Sequence, residues 1–165
     1  MPSEKILVIG LGNPILGDDG AGWVVAHEVE THLGESEYVE VDCLALGGLS
    51  LMERMIGHQR VILIDSLNTG QRPPGSVVTF TLEDLVDLTH GHASAAHDAS
   101  LKTALDVGRN LGVILPADKD VYVVAIEAQH VYDFKEELSP VIAAAMPAAV
   151  QQVLTLLKEI NDIGY

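Results

Sequence analysis

The run Ile6-Leu7-Val8-Ile9-Gly10-Leu11-Gly12-Asn13-Pro14-Ile15-Leu16-Gly17-Asp18-Asp19-Gly20-Ala21-Gly22 joins an uninterrupted apolar segment to a glycine-rich turn and two adjacent carboxylates. A continuous apolar segment bounded by glycine reads as a strand buried on both faces, because neither side alternates toward water. Residues 18–33 then place Trp23, Val24, Ala26 and His27 at near-helical spacing, which predicts a helix. Asp18 and Asp19 stand at its start, where the macrodipole favours acids, and Gly34 is placed to end it.

Downstream, strand and helix patterns alternate. Residues 38–42 predict a second strand and 49–56 a helix closed by Gly57. Residues 60–65 carry Val61-Ile62-Leu63-Ile64 and finish on Asp65, predicting a third buried strand with a carboxylate at its C-terminal end. Gln71-Arg72-Pro73-Pro74-Gly75 is a turn, and 76–81 alternates like an edge or antiparallel strand. Residues 82–96 show no regular period. A helix is predicted over 100–111, a strand over 120–126, and a long helix over 139–160 with Pro140 at the favoured first position. Pro147 predicts a kink or break in that last helix. Together these predict a three-layer α/β/α fold with a mixed, mostly parallel sheet of about five strands. The length of 165 residues suits a single domain over 1–165.

Composition removes several function classes. Apolar residues make up 48% of the chain and aromatics only 4%, so the core is expected to be aliphatic. A net charge of −15 opposes binding to nucleic acid, since the phosphate backbone would be repelled. The charge serves solubility, and it also suits a basic partner surface. The single cysteine, Cys43, excludes an internal disulfide and any Cys₄ zinc site, which fits a reducing compartment. Met1-Pro2-Ser3-Glu4-Lys5 lacks the order of a signal peptide, and the first apolar run is too short to span a bilayer. The expectation is a soluble cytoplasmic protein with no membrane and no nucleic-acid partner.

Gly10-x-Gly12 after a strand raises a dinucleotide site, but Ile15 stands where the third glycine belongs, and two carboxylates would face the phosphates. A metal site fits the residues better. Function in open α/β sheets gathers at the carboxyl ends of strands, and three segments deliver ligands there. Asp19 follows the first strand, Asp65 ends the third, and His97 is placed in the loop before a helix. Two carboxylates and an imidazole suit a divalent transition metal with open positions for hydrolysis. Each also has a structural reading: a helix cap for Asp18 or Asp19, a strand-end hydrogen-bond acceptor for Asp65, an ordinary loop histidine for His97.

The segment Gly10-x-Gly12-Asn13-x₄-Asp18-Asp19-Gly20-x-Gly22 resembles the signature of the nickel-iron hydrogenase maturation proteases. The resemblance continues, in order, through Val61-Ile62-Leu63-Ile64-Asp65, Ser94-Ala95-Ala96-His97-Asp98-Ala99-Ser100-Leu101, Ala125-Ile126-Glu127 and Leu138-Ser139-Pro140. It implies a phosphorylase/hydrolase-like arrangement and an endopeptidase that removes a C-terminal extension from a hydrogenase large-subunit precursor. It places metal contacts on Asp19, Asp65 and His97, with Asp19 and Asp65 as catalytic groups. The metal implied is nickel, supplied by the substrate, and no organic cofactor is implied. The resemblance is compatible with nickel as Lewis acid and with Asp19 or Asp65 as the base activating water. It is also compatible with a nickel-sensing or chaperone-like binding protein without cleavage and with another metal-dependent hydrolase on this fold.

The chain departs from the family pattern at Asp42-Cys43-Leu44-Ala45-Leu46-Gly47-Gly48, which keeps the aspartate but not the usual Gly-Thr pair, and at Ala128 after Glu127. His90, His92 and His130 are further metal-contact candidates, and Asn13 and Asp18 are expected to orient ligands or close the loop. Cys43 is expected to be a small buried residue without a neighbouring base.

Overall fold

The computed structural model describes residues 3–45, 47–87 and 93–162, the side chains of 3–4, 86–87 and 93–99 excepted. The apolar runs at 6–9, 61–64 and 121–126 become the middle of a five-stranded sheet, because each residue there meets a covered face. The strands are β1 (Ser3–Leu11), β2 (Val39–Leu44), β3 (His58–Leu67), β4 (Val77–Thr81) and β5 (Val121–Glu127). They lie in the order β2-β1-β3-β5-β4. β2, β1, β3 and β5 run parallel, and β4 joins antiparallel to β5. The expected mixed, mostly parallel sheet is thus present.

Alternation within the central strands divides the core in two. Ile6, Val8, Ile62, Ile64, Val124 and Ile126 face one layer, built from α1 (Ala21–Leu33) and α4 (Pro140–Asp162). Leu7, Ile9, Val61, Leu63, Val121 and Val123 face the other, built from α2 (Gly48–Met55) and α3 (Ala93–Asn110). α4 is long and apolar enough to cross a bilayer by composition alone. Instead it lays Ile142, Met146, Val150, Val153 and Leu157 into the sheet face, all of them buried.

Three elements differ from expectation. The first helix does not start at Asp18: Gly17–Gly20 forms a 3-10 turn, and α1 begins at Ala21. The reason is that Gly17 and Asp18 donate their N–H groups to the carbonyls of Lys135 and His130, which tie this turn to the loop after β5. α3 begins seven residues before position 100, so position 97 is helical and not in a loop. Its Ala- and Ser-rich opening has good helix formers but few apolar side chains to reveal a period. α4 runs through Pro147 without a break. Pro147 lies on the exposed side, so water can reach the Ala143 carbonyl that loses its helical donor.

Candidate active site

The connections from β1 and β3 leave toward opposite edges of the sheet, which makes the C-terminal ends of these neighbours the topological switch point. There α1 comes down onto the strands at unusually close range. A Cβ on Gly22 would stand 2.4 Å from both the Leu11 and Ile64 carbonyl oxygens, so only glycine lets the helix sit this low. The low seat holds the Asp18-Asp19 turn beside the end of β3.

The glycine-rich loop folds back on that turn. The Asn13 N–H donates to Asp19 Oδ2 at 2.8 Å, and Asn13 Oδ1 accepts the Ile15 N–H at 3.2 Å. Gly12 has φ 129°, and a Cβ there would lie 1.9 Å from the Asp19 carbonyl oxygen. That explains the second glycine of the motif as a steric need for loop closure. The Leu44 carbonyl at the end of β2 receives both the Gly12 N–H (3.2 Å) and Trp23 Nε1 (3.2 Å).

Asp65 is in register with Ala125 and shares the parity of Val61 and Leu63, which places it on the α3 side of the sheet. Its Oδ1 accepts the Ser66 N–H at 2.8 Å. Ser66, of opposite parity, donates its hydroxyl to the Asp18 carbonyl at 3.1 Å. One hydrogen bond therefore joins the residue before Asp19 to the residue after Asp65, and the two carboxylates issue from linked segments. Carboxylate oxygens in this position suit a divalent cation. Among the described residues no group of three His, Cys, Asp or Glu side chains stands ready to hold a metal. The side chain of His97 lies outside the described residues, as do His90 and His92, so the expected imidazole and these two further metal-contact candidates have no described geometry.

Asp18 is not a partner for a ligand. It is 1% exposed, and its Oδ1 and Oδ2 accept the Ser139 N–H (2.7 Å) and hydroxyl (2.8 Å). Ser139 is the N-cap of α4, its carbonyl accepting the Ala143 N–H at 2.9 Å. The carboxylate thus lies at the positive end of a 23-residue helix and locks the turn that carries Asp19. Sequence reasoning gave Asp18 an orienting role but missed its partner. Ser139-Pro140 signalled a helix start, yet nothing local in the chain points from there to residue 18.

Two further arrangements escaped the sequence. Glu127, 5% exposed at the end of β5, accepts the Thr69 N–H at 3.2 Å on Oε2 and the Thr69 hydroxyl on Oε1. The pair pins the loop after β3 beside Asp65. Cys43 is half-buried, because β2 is an edge strand, and it does have a histidine nearby: His27 Nε2 lies 3.8 Å from Sγ. Burial, with Asp42 and Glu30 adding negative charge, pushes the thiol up to about 11, which leaves it protonated and unfit as a nucleophile near neutrality. His130 is exposed and pairs with Asp133 through Nδ1 at 3.1 Å, reaching the Asp18 turn only through its backbone carbonyl. At the far end of β2, Arg54 bonds Asp42 (2.8 Å) and Glu40 (2.6 Å). Burial works to raise the Glu40 carboxyl, but hydrogen bonds from Arg54 and His58 outweigh it and hold the group below its ordinary value. This network ties the edge strand to α2 and lies apart from the switch point.

The same fold occurs in known proteases. The chain is 25% identical to the hydrogenase 2 maturation protease of Escherichia coli K12 over 155 residues, covering 94% of this chain and 92% of that protein. The structure of the hydrogenase maturating endopeptidase HybD from Escherichia coli superposes with a TM-score of 0.75 at 25% identity, over 94% of this chain and 93% of that one. The NiFe hydrogenase maturation protease HybD from Thermococcus kodakarensis gives a TM-score of 0.67 at 25% identity, over 93% and 99% of the two chains. A sequence profile of the hydrogenase maturation proteases, HycI, matches residues 24–156. With that profile spanning most of the chain, and the fold shared over 94% of it, this protein belongs to the hydrogenase maturation protease family.

Proposed function

We propose that this protein is a cytoplasmic endopeptidase, acting as one domain, that removes the C-terminal extension of a nickel-loaded hydrogenase large-subunit precursor. The observation that carries the reading is the linkage of the Asp19 and Asp65 segments at the switch point, in a chain of this family. The nickel belongs to the substrate. Asp19, Asp65 and His97 contact it from the protease side, an incomplete set that gains its remaining ligands from the precursor.

Nickel held there supplies Lewis acidity at the scissile carbonyl. One carboxylate takes a proton from the attacking water, and the departing amine is protonated as the C–N bond breaks. The Asn13 N–H on Asp19 and the Ser66 N–H on Asp65 fix each carboxylate by one oxygen, so their orientation is set before substrate arrives. Discrimination between loaded and empty precursor follows from the contacts that only nickel provides.

The test is intact-mass measurement of the precursor after incubation with the purified protein. Loss of a C-terminal peptide from the nickel-loaded form alone is expected. Equal cleavage of loaded and nickel-free precursor would refute nickel as the trigger, and no cleavage of the cognate loaded form would refute the protease reading.

A further inference from the structure

The loop from His130 to Glu137 is fastened to the turn that carries Asp19. Its His130 carbonyl accepts the Asp18 N–H at 3.0 Å, and its Lys135 carbonyl accepts the Gly17 N–H at 2.7 Å. Lys135 also donates its N–H to the Ile15 carbonyl at 3.0 Å, and Lys135 forms a parallel bridge with Leu16. Val131 is turned inward and buried. Tyr132 and Phe134 point the other way and are each 81% exposed, more than any other large apolar side chain among the described residues. Ile15, on the joined segment, is 40% exposed. In a chain with only seven aromatic residues, two stand in water on one fastened loop, next to the candidate active site.

Exposed aromatics held on a fixed frame are the side chains that anchor protein interfaces, since they bury large area at little cost in entropy. The same loop carries Asp133, Glu136 and Glu137 against one Lys135, all exposed, with Asp133 paired to His130 and the two glutamates facing water. Exposed carboxylates on the same loop as exposed aromatic rings suit a lysine or arginine side chain. We propose that Tyr132, Phe134 and Ile15 dock an apolar segment of the precursor polypeptide that also carries basic residues, beside the bond to be cut. The inference rests on the protease reading, in that the partner is that enzyme's substrate.

The experiment compares wild type with the double variant Tyr132→Ser, Phe134→Ser. Binding of nickel-loaded precursor is measured by titration, cleavage by intact mass, and Tm by calorimetry. Because both side chains are exposed, Tm should be unchanged. The Kd should rise at least about tenfold, with kcat at saturating precursor within about twofold of wild type. Neutralising Asp133, Glu136 and Glu137 as amides should raise Kd at low salt and flatten its salt dependence. A double variant that binds with wild-type Kd overturns the docking surface, whether or not cleavage occurs. Wild type that binds but does not cut overturns the protease reading alone, and the Kd ratio still decides the surface. Wild type that does neither overturns both.

Discussion

Replacing Asp18 by alanine removes the clasp between the Asp19 turn and α4. The carboxylate is 1% exposed and accepts two hydrogen bonds from Ser139, at 2.7 and 2.8 Å. Hydrogen bonds to a charged group contribute about 1.5–3 kcal/mol each, and a helix N-terminus adds up to about 2 kcal/mol in partly buried geometry. These contributions overlap, and Ser139 is half-exposed, so water regains part of the loss. A net cost of about 3 kcal/mol follows, which for a chain of this size lowers Tm by about 6–12 °C. Ser139→Ala deletes only the hydroxyl bond and should cost about 1.5 kcal/mol. Asp18→Asn keeps one acceptor and the shape, and should cost less than alanine. The assay is urea unfolding of wild type, the two alanine variants and their combination. The coupling energy of that double-mutant cycle should exceed about 1 kcal/mol. Additive effects, or a cost below about 1 kcal/mol for Asp18→Ala, would refute the clasp.

Gly12→Ala sets a Cβ against the Asp19 carbonyl at a φ of 129°, so calorimetry should show a Tm loss comparable to that of Asp18→Ala. Pro147→Ala restores an amide donor on the exposed side of α4, a propensity gain of about 3 kcal/mol that should raise Tm by about 6–12 °C; no gain would contradict an unbroken helix there. For Cys43, the move from 9.0 to about 11 cuts the thiolate fraction at pH 8 about a hundredfold. Iodoacetamide alkylation of the folded protein should therefore keep accelerating up to about pH 11, where an ordinary thiol levels off near 9.0.

The central strands were readable because burial on both faces leaves an unbroken apolar signal at Ile6–Ile9 and Val61–Ile64. The glycine motif marked the turn carrying Asp19, but Asp65, read as the end of its strand because it interrupts the apolar signal, lies two residues inside β3, which pairs with β5 as far as Leu67. α3 was read seven residues short because its first turns contain Ala, Ser, His and Asp in place of a periodic apolar face. The same error put His97 in a loop. The partners of Asp18, Glu127 and Cys43 were not readable, for a common reason. Each meets its partner through chain crossing, with separations of 121, 58 and 16 residues, and a polar pair leaves no periodic trace in the sequence. Tyr132 and Phe134 could have been noticed as two of few aromatics in a loop, but their exposure depends on Val131 taking the buried position between β5 and α4.

The central claim is that Asp19 and Asp65 together carry peptide-bond cleavage. The most direct measurement is intact mass of nickel-loaded precursor after incubation with wild type, Asp19→Asn and Asp65→Asn in parallel, each first shown folded by circular dichroism. The account predicts a shortened precursor with wild type and full-length precursor with either variant. Wild-type cleavage by either variant would contradict it.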